Sequence, residues 1–176
     1  LVFPNVGPDS HLGRSVAISK DGTTIAASAP GDNKIYIARF VTNAWSYEEI
    51  PGSAAGITTE GDLGSSLAIN DDGTIIAIGS KNHDAEGGID KGSVTVMIKK
   101  DGVWTQLGQT LKGERGEGIS NSYYYVGDQF GTSLAISDKN SYNGTGPSNT
   151  IKVVIGAPKN DPDGATSDDY YNGHVE

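Results

Sequence analysis

The chain has 176 residues, with 22 acidic against 13 basic side chains, a formal charge of −9 and a pI near 4.7. That balance argues against a nucleic-acid partner and against anionic membrane surfaces, because no basic stripe is present to displace counterions from phosphates. Cysteine is absent, which removes disulfides, thiolate chemistry and most zinc sites together. No apolar run reaches the roughly eighteen residues that membrane insertion by a helix requires. No charged segment followed by an apolar stretch opens the chain, so a secretion signal is expected to have been removed or to lie upstream.

In chain order, residues 1–10 are expected to form an N-terminal strand or a segment between repeats. The sequence then writes one unit three times. GRSVAIS begins at Gly13, GSSLAIN at Gly64 and GTSLAIS at Gly131, which places Ser15, Ser66 and Ser133 in register. Self-similarity at a spacing of several tens of residues marks stacked supersecondary units. Within LGSSLAIN the large Leu63, Leu67 and Ile69 share one face and the small Gly64, Ser66 and Ala68 the other, a period of two that predicts a strand. A second face that is small rather than charged predicts that both faces are covered and that one neighbour comes close.

An Asp-Gly turn follows in copies one and two, where glycine supplies positive φ. The chain returns as TTIAASAP or TIIAIGS, so these two strands are expected to form a hairpin. KIYIARF and GSVTVMIKK are the third strands, and the segments carrying Trp45 and Trp104 the fourth. Copy three has longer insertions and stops within its third strand. Four consecutive antiparallel strands make a β-propeller blade. The expectation is therefore an all-β chain of four-stranded antiparallel blades, an incomplete propeller of about two and a half. Blade one spans 11–52, a linker 53–61, blade two 62–113, a linker 114–127, and a truncated blade three 128–176.

Gln129-Phe130-Gly131-Thr132-Ser133 together with Ile155-Gly156-Ala157-Pro158 resembles the FG-GAP repeat of integrin α-subunit heads and of many secreted or surface propellers. Copy one offers Leu12-Gly13 with Ser28-Ala29-Pro30, and copy two Leu63-Gly64 with Gly79-Ser80-Lys81. DGVWTQLG at 101–108 looks like the FG-GAP arrays of algal and bacterial surface proteins. The resemblance implies an extracellular or cell-surface propeller, and in the integrin-type repeat a calcium loop between the first two strands. Here SKDGT and NDDGT are too short to encircle an ion. The oxygen-bearing residues that remain as calcium ligands lie in the later loops: Asn160, Asp161, Asp163, Asp168 and Asp169, with Asp84, Glu86 and Asp90 in the equivalent loop of copy two. Their plainer reading is a solvated acidic loop.

No unique catalytic set stands out. His11, His83 and His174 fall at non-equivalent positions, and the motif serines recur three times, which suits packing better than nucleophilic catalysis. Glu48 and Glu49 are adjacent, so on a strand they point to opposite faces. Tyr123, Tyr124, Tyr125, Tyr170 and Tyr171 suit a protein or sugar contact, and Asn143 opens a glycosylation sequon. The leading expectation is a non-enzymatic surface propeller segment acting in adhesion or as a building block. Its partners are further blades of a longer protein or copies of itself, with a surface protein or glycan as a further class. Strand donation by LVFPNV is one route to such assembly. The alternatives are a carbohydrate- or protein-binding module using the loops of the third repeat with calcium, and the accessory propeller of a hydrolase.

Overall fold

The computed structural model describes residues 2–56, 62–84, 89–114, 127–138 and 150–159, together with the backbone of strands 118–120, 123–125 and 174–175. The chain is all-β and built from antiparallel sheets. Sheet one holds β1 (Val16–Ile18), β2 (Thr24–Ala29), β3 (Lys34–Val41) and β4 (Ala44–Pro51) in sequence order. Sheet two holds β5 (Ser66–Ile69), β6 (Ile75–Ser80), β7 (Ser93–Lys100) and β8 (Val103–Gln106), and β9 (Leu111–Lys112) pairs with β7 as a fifth strand. A hairpin of β10 (Gly118–Ser120) and β11 (Tyr123–Tyr125) follows, and then sheet three, formed by β12 (Ser133–Ile136), β13 (Val153–Ala157) and β14 (His174–Val175).

The tight turns form where the sequence predicts them, and side chains fix them. Asp21 accepts hydrogen bonds from the Ser19 hydroxyl at 2.6 Å and the Thr23 amide at 2.9 Å while Gly22 takes φ of 73°. These donors, Ser19 first, hold the Asp21 carboxyl below the usual carboxylate range. In copy two the Asn70 amide oxygen takes over, accepting from the Thr74 and Ile75 amides at 3.0 and 2.8 Å, with Gly73 at 67°. Short polar side chains that bond the backbone two to five residues on close a turn without help from the core.

Three segments lie before or between the larger sheets. Of the two forms expected for residues 1–10, a strand or a segment between repeats, the described residues 2–10 form no strand; Phe3 lies against Tyr36 and Tyr47 of sheet one, with ring centroids 5.8 Å apart in each pair. The segment expected as a linker after blade two contains the β10–β11 hairpin. The segment expected as a linker after blade one begins within a short 3-10 turn, Gly52–Ala55.

Two apolar layers separate the three sheets. Between sheets one and two, Ala26, Ile35, Ile37 and Ile50 meet Leu63, Leu67, Ile76, Ile78 and Met97. Between sheets two and three, Ala68, Ala77 and Val94 meet Phe130, Ile155 and Ala157. Sheet two is therefore buried on both faces, which is why its strands read as nearly continuous apolar runs.

Candidate functional site: the stacking faces of the repeat

The repeated motif folds into the same local structure three times. Two residues before the glycine the chain enters the left-handed region, at His11, Asp62 and Gln129 with φ of 54°, 51° and 53°. The glycine repeats the excursion, at 88°, 75° and 87° for Gly13, Gly64 and Gly131. Its amide then donates to the second strand of its own sheet: Gly13 to Ser28 O at 2.8 Å, Gly64 to Gly79 O at 2.8 Å, Gly131 to Gly156 O at 3.1 Å. This double left-handed turn pushes the intervening large residue, Leu12, Leu63 or Phe130, out toward whatever sheet precedes it. Leu63 and Phe130 are buried there.

The approach between sheets is close because the facing residues are small. A Cβ placed on Gly64 would overlap the Cβ of Ser28 and lie 2.8 Å from Ile35 Cδ1. One on Gly131 would lie 2.7 Å from Ser93 O and 2.9 Å from Val94 Cγ2. The buried Ser66 hydroxyl donates to Gly131 O at 2.7 Å, tying sheet two to sheet three. Each stack thus sets the large face of the later sheet on the small face of the earlier one.

Charges rim the first of these interfaces. Lys99 on β7 reaches Glu48 on β4, with Nζ 2.6 Å from Oε2, and Lys20 reaches Asp71 at 2.9 Å. Asp71 raises the Lys20 ammonium above its ordinary value through that hydrogen bond. Arg14 lies 3.6 Å from Asp62. Glu49, on the opposite face from Glu48, pairs with Lys34 at 2.6 Å, so the two adjacent glutamates are split as the strand period requires. Trp104 is half-buried against the first apolar layer, with Lys99 Nζ 5.9 Å from its ring centre. Trp45, at the matching position of sheet one, packs against Phe40 at 5.2 Å.

The other sequence-derived candidates fare differently. Asp84 accepts the Asp90 amide at 2.9 Å, which spends one carboxylate oxygen on closing the loop. Among the described residues no three acidic, histidine or cysteine side chains gather closely enough to hold a metal ion. Glu86, Asn143, Asn160, Asp161, Asp163, Asp168, Asp169, Tyr170 and Tyr171 lie outside the described residues, and Tyr123, Tyr124 and Tyr125 are described only as the backbone of β11. His83, Asp84, Gln106, Gln109, Thr110 and Lys112 line an open polar cavity of about 390 Å³. His83 Nδ1 sits 2.8 Å from the Ser93 hydroxyl, and burial, opposed by Asp84, holds its imidazole below the ordinary value.

Sequence reasoning does not reach His11, Asp62 and Gln129 as a set, since three unlike residues share only their backbone conformation. It does not reach the clasp at the N-terminus either. There Asp32 accepts from the Gly7 amide at 3.1 Å and from the Tyr36 hydroxyl at 2.8 Å. No family model matches the chain, and no curated protein matches it.

Proposed function

We propose that the chain is part of an FG-GAP-type β-propeller in which each sheet is a blade, and that it works outside the cell as a non-enzymatic scaffold, in adhesion or as a building block of a larger assembly. The observation that carries this reading is the motif turn made three times with one hydrogen-bond pattern, its large residue seated on the preceding sheet at Leu63 and Phe130. Such a design spends its recurrent serines and glycines on stacking, as Ser66 does through its bond to Gly131, and stability accrues sheet by sheet.

The cavity beside His83 favours a second reading, a module that binds a sugar or a polar peptide segment through the Gln106 and Gln109 amides and the Thr110 hydroxyl. Calorimetric titration against a panel of glycans and extracellular proteins, with and without a chelator, separates the two. The scaffold reading expects no saturable heat from glycans and no change in Tm on chelation. Saturable glycan binding that is lost in Thr110→Ala replaces it with the second reading.

A further inference from the structure

An Asp-Gly step is chemically reactive within its own backbone, because the glycine amide can reach the aspartate carboxyl carbon with no side chain in the way. Three such steps lie among the described residues, Asp21-Gly22, Asp72-Gly73 and Asp101-Gly102, each in a hairpin turn. In all three the glycine is left-handed, with φ of 73°, 67° and 84°. What surrounds the two reacting groups differs.

The Asp21 carboxylate accepts from the Ser19 hydroxyl at 2.6 Å and from the Thr23 amide and hydroxyl at 2.9 Å each, while the Gly22 amide donates to Ser19 O at 2.9 Å. Asp72, at the same position of the repeat, accepts from the Asn70 side-chain amide at 2.9 Å, the Thr74 amide at 3.0 Å and the Thr74 hydroxyl, while the Gly73 amide donates to Asn70 O at 3.1 Å. Both reacting groups are occupied in each of these turns. In the turn between β7 and β8, neither the Asp101 carboxylate nor the Gly102 amide has a hydrogen-bond partner among the described residues. Both residues are exposed, and a Cβ on Gly102 would meet nothing within 4 Å. The matching turn of sheet one, Thr42-Asn43, has the same left-handed backbone, at 51° and 60°, without an Asp-Gly step.

We propose that Asp101-Gly102 is a modification site at which the folded chain converts spontaneously to isoaspartate, while the fold protects Asp21 and Asp72 from the same reaction. The Gly102 nitrogen attacks Asp101 Cγ, a C–N bond forms, and the carboxyl oxygen leaves as water with the amide proton, which gives a five-membered succinimide. Water then adds back: opening at the Cγ carbonyl restores aspartate, and opening at the backbone carbonyl leaves the chain running through Cγ. One water is lost and one regained, with no change of oxidation state. Ring closure needs a protonated carboxyl, and the donors that hold Asp21 below the usual carboxylate range keep that group ionised as well as pinned. The product adds a methylene to the backbone of a two-residue turn. Such a turn sets the register of its hairpin, so the pairs Lys100 with Val103 and Lys99 with Trp104 lose theirs, and Trp104 is the residue β8 sends into the first apolar layer.

The test is to age the full chain at neutral pH and body temperature, folded and in concentrated urea, and to map isoaspartate residue by residue with a protease that cleaves only at ordinary aspartate and with electron-transfer fragmentation. Site-resolved mapping keeps Asp101 apart from the Asn-Gly and Asp-Gly steps at 143, 163 and 172. In the folded chain isoaspartate is expected at Asp101 about tenfold faster than at Asp21 or Asp72, the factor set by breaking at least one charge-assisted hydrogen bond first. In urea the three rates should converge, with Asp21 and Asp72 rising. Equal rates in the folded chain overturn the proposal. So does a preference for Asp101 that persists in urea, because neighbours in sequence and not the fold would then be its cause. Peptide-level hydrogen exchange on the aged chain should quicken over residues 99–104 in step with isoaspartate at 101, and should not do so in Asp101→Glu, whose longer side chain does not close the five-membered ring. Exchange that stays unchanged as isoaspartate accumulates overturns the loss of register.

Discussion

Leu12, Leu63 and Phe130 occupy one backbone site in three copies, which makes them an internal control for what stacking contributes. Each sits between two left-handed residues, so an alanine substitution removes side chain while leaving the local backbone cost equal. Leu63 is 1% exposed within the layer between sheets one and two, and truncating a fully buried leucine costs about 3 kcal/mol through lost transfer and a residual cavity. Leu12 is 37% exposed, with no sheet facing it among the described residues, so Leu12→Ala is expected to cost about 1 kcal/mol. For a domain of this length Leu63→Ala corresponds to a fall in Tm of roughly 6 to 12 °C. Phe130→Ala should resemble Leu63→Ala, since Phe130 is 6% exposed in the second layer. Urea unfolding followed by tryptophan fluorescence, at concentrations low enough to hold the chain monomeric, measures all three, and Trp104 reports on the first layer directly. Equal losses for Leu12→Ala and Leu63→Ala would refute the argument, because the turn itself, not the stack, would then be the source of stability.

Two further outcomes follow from the same geometry. Gly13→Ala and Gly64→Ala both force a side chain into the left-handed region, at about 1 kcal/mol, but only at Gly64 does the new Cβ overlap Ser28. Gly64→Ala is therefore expected to lose at least about 1 kcal/mol more than Gly13→Ala by urea midpoint, and equal midpoints would contradict the observed sheet spacing. At the N-terminus, burial first and then the Asp32 carboxylate push the Tyr36 phenol up to about 12. A folded value above the unfolded one means that the clasp's contribution is complete below the ordinary value of about 10 and is lost as pH rises through 12. The Gly7 amide, followed by Tyr36, lowers Asp32, whose contribution is present above its ordinary value and is lost as pH falls through the lowered one. Limited proteolysis of the N-terminal segment should accordingly accelerate at both extremes. Tyr36→Phe should abolish the alkaline limb, and a limb that persists in that variant refutes the assignment.

What the sequence determined by itself was local and periodic. Alternation in LGSSLAIN, the Asp-Gly turns and the threefold register of Gly13, Gly64 and Gly131 were enough to place strands and hairpins, and the small face of Gly64, Ser66 and Ala68 announced a close neighbour. These features are legible because a strand's side chains alternate and a turn's glycine answers to its own backbone. The left-handed residues His11, Asp62 and Gln129, the Lys99–Glu48 pair and the Asp32–Tyr36 clasp were not legible. They join residues that only the packing of one sheet on another, or of residues 2–10 on sheet one, brings together. Nor could three near-identical motifs reveal that Leu63 and Phe130 are covered while Leu12 is open. Side-chain type sets which surface can be buried; the order of sheets in space decides which surface is.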